Sequence, residues 1–151
     1  MARQAVQSRR RNTTVPHAIA TVTRGQAAFS RGDAEAVMDL ATSDVEWGAS
    51  GAFPGIAEVY RGRHAIKEWM RAIRSAWEVL EATLDEVLHH KEDVIVISER
   101  LRGRGRGSGV EVEMSIFLVY WFENRKISRR EAFTEPCAAL EAAGLPCLGG
   151  C

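Results

Sequence analysis

Residues 93–134 read DVIVISERLRGRGRGSGVEVEMSIFLVYWFENRKISRREAFT, and the fold follows from how apolar residues alternate along them. Val, Ile, Phe and Tyr recur with the period of two that puts successive side chains on opposite faces of a sheet. The pattern predicts strands over 93–102, 110–122 and 126–134, with one more before them over 80–90. Gly103-Arg104-Gly105-Arg106-Gly107-Ser108-Gly109 joins the middle two, and Glu123-Asn124-Arg125 the last two. Connections this short make antiparallel hairpins. In strand 110–122 both rows are apolar: Met114, Ile116, Leu118, Tyr120 and Phe122 on one side, Phe117, Val119 and Trp121 on the other. A sheet with one face in water would alternate cleanly. Helices cover only one side, so a second copy of the chain is the expected cover for the other: a homodimer through the sheet.

Before the strands the period is helical. From Pro16, Ile19, Val22 and Phe29 share a face until Gly32, and Asp33 stands as N-cap to Ala34, Val37, Met38 and Ala41. Val45–Trp47 reads as a brief strand, followed by a Gly- and Pro-bearing loop over 48–62. Ile66, Trp69, Met70, Ile73 and Trp77 then predict a long helix with an aromatic stripe. After the strands, Pro136 opens a short helix that Gly144 closes. The order gives an α+β class with helices on one face of an antiparallel sheet. At 151 residues it is one domain, placed at 15–145, with a disordered basic head over 1–14 and a flexible tail over 146–151.

Twenty Lys and Arg against 20 Asp and Glu exclude a protein that coats nucleic acid or an anionic membrane. The Arg-Gly run is a hairpin turn, where Gly supplies positive φ, rather than an RNA-binding tail. No apolar run reaches the ~20 residues of a membrane span. Arg9-Arg10-Arg11 is not followed by an export signal's apolar core, so the chain is expected in the cytoplasm. Cys137, Cys147 and Cys151 are odd in number and lack paired metal spacing, which reads as thiols on a loose tail. His89 and His90 are neighbours on a strand and point to opposite faces, so neither a metal nor a cofactor is expected.

The segments Arg31-Gly32-Asp33-Ala34-Glu35-Ala36-Val37, Val45-Glu46-Trp47, Tyr60-Arg61-Gly62-Arg63-His64-Ala65-Ile66, Lys126-Ile127-Ser128-Arg129 and Ala139-Leu140-Glu141-Ala142-Ala143-Gly144-Leu145, with the Gly-rich hairpin among them, occur in the order of a known group. Together they resemble the SnoaL-like polyketide cyclase group of the nuclear transport factor 2-like superfamily, which also holds ketosteroid isomerases and limonene epoxide hydrolases. The resemblance, over residues 17–145, implies a cone-shaped, cystatin-like α+β barrel whose curved sheet wraps a long helix around an apolar cavity, commonly in a homodimer. It implies no single reaction. The positions of the isomerases' Tyr and two Asp correspond to Gly25, Ala49 and Leu118, and those of the epoxide hydrolases' Arg and two Asp to Glu99, Leu101 and Ala132. Neither mechanism can run as known.

The same resemblance turns Ile97, Glu99, Leu101, Met114, Ile116, Leu118, Tyr120 and Arg130 toward the cavity. Trp47, Tyr60, Trp69 and Met70 join Ile97, Leu101, Met114, Ile116, Leu118 and Tyr120 as candidate ligand contacts, or as ordinary core. Glu99 and Arg130 are the candidate catalytic pair. If they meet, Arg130 lowers the Glu99 pKa and the carboxylate is a base; if not, burial raises it and the carboxyl is an acid. Two functions stay open: a cofactor-free cyclase, isomerase, dehydratase or hydrolase of polyketide- or steroid-like molecules, or a non-catalytic module that binds a small apolar or aromatic molecule or dimerises.

Overall fold

The structure, a computed structural model, describes residues 13–48 and 59–147. Ala49 and most of the Gly/Pro loop lie outside them, as do most of the basic head and of the tail. The first helix, α1 (Val15–Ser30), starts where Thr14 caps the His17 N–H and Pro16 fills the first turn. A short α2 (Ala34–Met38) follows, capped by the Asp33 carboxylate on the Ala36 N–H. Then come β1 (Ala41–Gly48), β2 (Val59–Arg61), α3 (Gly62–Ser75), β3 (Trp77–Lys91), β4 (Val94–Gly105), β5 (Glu111–Glu123), β6 (Lys126–Phe133) and α4 (Pro136–Ala142).

The strands form one sheet in the order β2-β1-β6-β5-β4-β3. Every neighbouring pair is antiparallel except β1 with β6, which run parallel. A parallel pair needs a long crossover, and everything from α3 to β5 supplies it. Sequence reading saw only the hairpins and missed this pairing. Asn124 and Arg125, both at positive φ, make the two-residue β5–β6 turn. Three register shifts along β3 bend its pairing with β4 and curl the sheet over α1 and α3.

Trp77 does not extend α3. The helix ends at Ser75, Trp77 opens β3, and its ring lies where a side chain on Gly103 would stand. With α3 at 14 residues, α1 at 16 is the longer helix. Arg74, near the α3 C-terminus, donates to the Phe29 carbonyl at 2.7 Å and the Leu80 carbonyl at 3.1 Å, tying α3 to α1 and β3. At the other end of α1, His17 Nε2 donates to the Arg125 carbonyl at 2.9 Å while its Nδ1 accepts from the Arg125 guanidinium at 3.1 Å. Thr13, assigned by sequence to the head, is buried, and its N–H donates to the Asp93 carboxylate at 2.7 Å.

The second apolar row of β5 finds its cover within the chain. Ala139, Leu140, Ala143 and Leu145 of α4 and the turn after it pack on Val96, Phe117, Val119 and Trp121. Toward the Gly-rich hairpin the same face is charged instead: Arg100 pairs with Glu113 at 2.6 Å and Asp85 at 3.5 Å, Arg102 with Glu113, and Arg104 with Glu111. Nor are all the tail cysteines loose: Cys137 and Cys147 form a disulfide, their Cα atoms 5.1 Å apart, that ties the end of the described chain to the first turn of α4.

Candidate functional site

The main core lies between the helices and the concave face of the sheet. Within it α1, α2, α3, β1 and the inner faces of β4, β5 and β6 enclose a cavity. The space between its walls that the centres of water-sized molecules can reach is about 40 Å³. That is room for roughly three waters at ~10–15 Å³ each. The wall is mostly apolar. Val22, Gly25 and Phe29 come from α1, Ile73 from α3, and Leu101 and Ile116 from adjoining strands.

The polar groups arrive through strand register. Arg130 on β6 stands opposite Tyr120 of β5 on one side and opposite Trp47 of β1 on the other. Its guanidinium lies over the Trp47 ring at 4.7 Å and the Trp69 ring at 5.3 Å, and those rings are 5.7 Å apart. Each such contact is worth about 0.5–2 kcal/mol, rising with desolvation. Glu99 on β4 is opposite Ile116 and accepts a 2.9 Å hydrogen bond from Gln26 Nε2 on α1. Glu99, Arg130, Gln26 and Tyr120 are all 4–5% exposed.

Among the described residues, no ion pair joins Glu99 to Arg130; they act on each other only across the cavity. Burial raises the Glu99 pKa above its ordinary 4.5, and it outweighs the Arg130 charge and the Gln26 hydrogen bond, which both lower it. Of the two directions open in the sequence, the shift is upward. Burial also pushes the Tyr120 hydroxyl up to about 12, against the nearby guanidinium. Arg130 Nε and Nη1 are buried without a hydrogen-bond partner, as are the indole Nε1 atoms of Trp47 and Trp69.

Of the residues singled out by sequence, Glu99, Arg130, Trp47, Trp69, Leu101, Ile116 and Tyr120 line the cavity. Ile97 and Leu118 are wholly buried but lie in the core rather than on the cavity wall. Met114 is a correction: at 38% exposure it sits toward the hairpin end of β5, past the helices that would bury it. Met70 is buried but belongs to the side of α3 facing Ala34 and Glu35, and Tyr60 packs on the core from edge strand β2. Sequence reasoning missed Gln26. Its signal was present, since Val22, Gly25, Gln26 and Phe29 fall at i, i+3, i+4 and i+7, making Gln26 the one polar member of an apolar stripe. Of the positions that hold the isomerases' side chains, Gly25 leaves the wall open: a Cβ there would only touch Leu40 Cδ1 at 3.6 Å. The described residues hold no cluster of metal-ligating side chains, and none of their helices is long and apolar enough to cross a membrane.

Solved structures share this fold. TerC, co-crystallised with polyporic acid, aligns with 18% identity over 81% of this chain and 94% of its own, at a TM-score of 0.68. A ketosteroid isomerase-like protein from Catenulispora acidiphila, in complex with trimethylamine, aligns with 17% identity over 83% and 93%, at 0.67. An NTF2-like protein from Burkholderia thailandensis reaches 26% identity over 85% and 97%, at 0.66. No curated protein matches the chain. The profile of the SnoaL-like domain matches residues 22–130, a span that holds α3, β1–β5 and every residue of the cavity wall. The chain belongs to the SnoaL-like domain family, within the NTF2-like superfamily.

Proposed function

We propose that the cavity binds a small, mostly apolar or aromatic molecule and moves a proton on it without a cofactor, with Glu99 as the proton-transfer group and Arg130 as the electrostatic stabiliser of the oxyanion that forms. One observation carries this reading: a buried carboxyl with a raised pKa shares an apolar cavity with a buried guanidinium that it does not touch. A carboxyl whose proton burial holds more tightly can donate it to a substrate oxygen, and a fixed cation in a dry site stabilises negative charge that develops nearby. Cyclisation, isomerisation, dehydration and hydrolysis all use these two parts. The cavity's size fits a small ligand, or the reacting end of a polyketide- or steroid-like one. That TerC and the Catenulispora protein were crystallised with small molecules supports ligand binding on this fold.

The competing reading is a non-catalytic ligand-binding module, favoured by Gly25, Leu118 and Ala132 where catalytic relatives carry Tyr or Asp. Glu99→Gln separates the two on a ligand found by thermal-shift screening of aromatic ketones and enones. The enzyme reading expects turnover to vanish while binding persists; unchanged turnover excludes Glu99.

Homodimerisation through the sheet now rests on Phe117 and Trp121, which α4 leaves half-buried. Its check is the solution mass of wild type and Trp121→Glu, and a wild-type monomer at micromolar concentration ends it. A cytoplasmic site is proposed from the sequence, with neither nucleic acid nor membrane as partner. A reducing cytosol keeps cysteine pairs as thiols. Thiol trapping at cell lysis checks the location, which an intact Cys137–Cys147 bond in the trapped protein would contradict.

A further inference from the structure

Four buried N–H donors without partners sit on three residues of one cavity wall: Arg130 Nε and Nη1, Trp47 Nε1 and Trp69 Nε1. A buried donor left unmade costs about 1–3 kcal/mol, more when charged. Native structures leave few such groups, and each calls for an explanation. Other buried orphans among the described residues, such as Thr42 Oγ1 and Ser98 Oγ, are scattered and do not line this cavity. The clustered ones share a sign: they are donors only, and one of them carries a full positive charge.

We propose that the ligand of this cavity is a small carboxylate, seated on Arg130 Nε and Nη1 and on the indole N–H groups of Trp47 and Trp69. The inference rests on the small-molecule reading above and narrows its substrate class. A carboxylate supplies two oxygens and about four lone-pair directions, all of them acceptors, which is the complement of these donors. It also supplies charge. Among the described residues, Glu99 makes no ion pair with Arg130 and no other anionic side chain lines the cavity, so none of them is a contacting counter-ion for the guanidinium. The Trp47 and Trp69 rings compensate part of that cost through their faces, and their buried indole N–H groups are themselves without a partner.

The titratable groups facing the ligand are Glu99 from β4, Tyr120 from β5 and Arg130 from β6; α1 contributes uncharged Gln26, and the lining residues of α2, α3 and β1 carry no charge. A bound anion disfavours an ionised Glu99, so binding of the carboxylate is coupled to retention of the Glu99 proton and weakens as pH rises through that group's titration.

The test uses the full chain, labelled with ¹⁵N, and follows the indole N–H signals of Trp47 and Trp69, assigned with Trp47→Phe and Trp69→Phe. The probes are acetate, butyrate and benzoate, each against its primary amide. The carboxylates are expected to bind at least tenfold tighter than the amides and to move both indole signals, more weakly at high pH than at low. Arg130→Met is expected to abolish the preference and Arg130→Lys, which keeps the charge, to retain part of it. Equal binding of acid and amide to the wild-type chain overturns the carboxylate site while leaving a ligand-binding cavity intact. If neither acids nor amides move the indole signals, the carboxylate site falls, and the cavity reading is decided separately by the ketone and enone screen.

Discussion

Glu99→Gln is predicted to change how stability depends on pH, and the sign of that change tests whether burial or Arg130 governs the carboxyl. The substitution is nearly isosteric, and the new amide keeps an oxygen for the 2.9 Å hydrogen bond from Gln26. What it removes is one titration. In the folded chain, burial raises the Glu99 pKa above 4.5 and overrides the opposing Arg130 charge. A group whose folded pKa lies above its unfolded one contributes its stability in full below the unfolded value. That contribution is lost as pH rises toward the folded pKa, because the unfolded chain releases the proton first. The loss runs at no more than about 1.4 kcal/mol per pH unit, the limit for a single proton. Urea unfolding of both proteins at several pH values from about 4.5 to about 8 reads the effect, and every carboxylate other than Glu99 cancels in the difference. Wild type is expected to lose stability relative to the variant as pH rises. Parallel curves would refute the raised pKa, and a wild type that gains on the variant would show that the Arg130 charge dominates instead.

Arg130→Met should raise stability by about 1–4 kcal/mol, because the desolvation cost of an uncompensated buried cation exceeds the ~0.5–2 kcal/mol of each ring contact it loses; a lower melting temperature would mean that the guanidinium already has its counter-charge. Gly103→Ala should destabilise by about 1–3 kcal/mol, since its Cβ would fall 2.7 Å from Trp77 Cε3 and 2.8 Å from Cζ3. That corresponds to roughly 2–4 °C in Tm per kcal/mol by calorimetry, and a neutral result would show that the Trp77 ring moves freely. Reduction of Cys137–Cys147, separated by 10 residues, should cost up to about 3 kcal/mol and appear first as faster amide exchange in α4.

The period of two along β4, β5 and β6 was legible because a strand shows its faces to the sequence directly. It separated the row of Ile116 and Tyr120 from that of Phe117 and Val119; that the first row faces a cavity, with Glu99 and Arg130 on neighbouring strands, came from the family resemblance. The fate of Phe117, Val119 and Trp121 was not legible. The helix that covers them, α4, is only seven residues long, and its packing depends on a chain reversal after β6 that periodicity does not describe. Met114 shows the same limit: it shares its row with Ile116 and Leu118, but it is exposed where they are buried. Alternation tells which face a residue is on and says nothing of how far along the strand the cover extends. Gln26 was overlooked because attention to charged groups passed over a neutral one, although its helical spacing placed it on the cavity side.

Whether two inward charges meet is decided by register, and register is set by turns and bulges that the sequence does not display. Glu99 is opposite Ile116 and Arg130 is opposite Tyr120, so along β5 the two stand four positions apart, with β5 itself between their strands. At ~3.4 Å per residue and ~4.8 Å per strand spacing, a flat sheet would hold their backbones roughly 17 Å apart. Side chains of this length close such a gap only in part, even across a curled sheet. The register thus accounts for both halves of the site. It keeps Arg130 from ionising Glu99, so burial governs the carboxyl, and it leaves two guanidinium nitrogens buried without a partner beside two tryptophans, the place proposed for a ligand's oxygens.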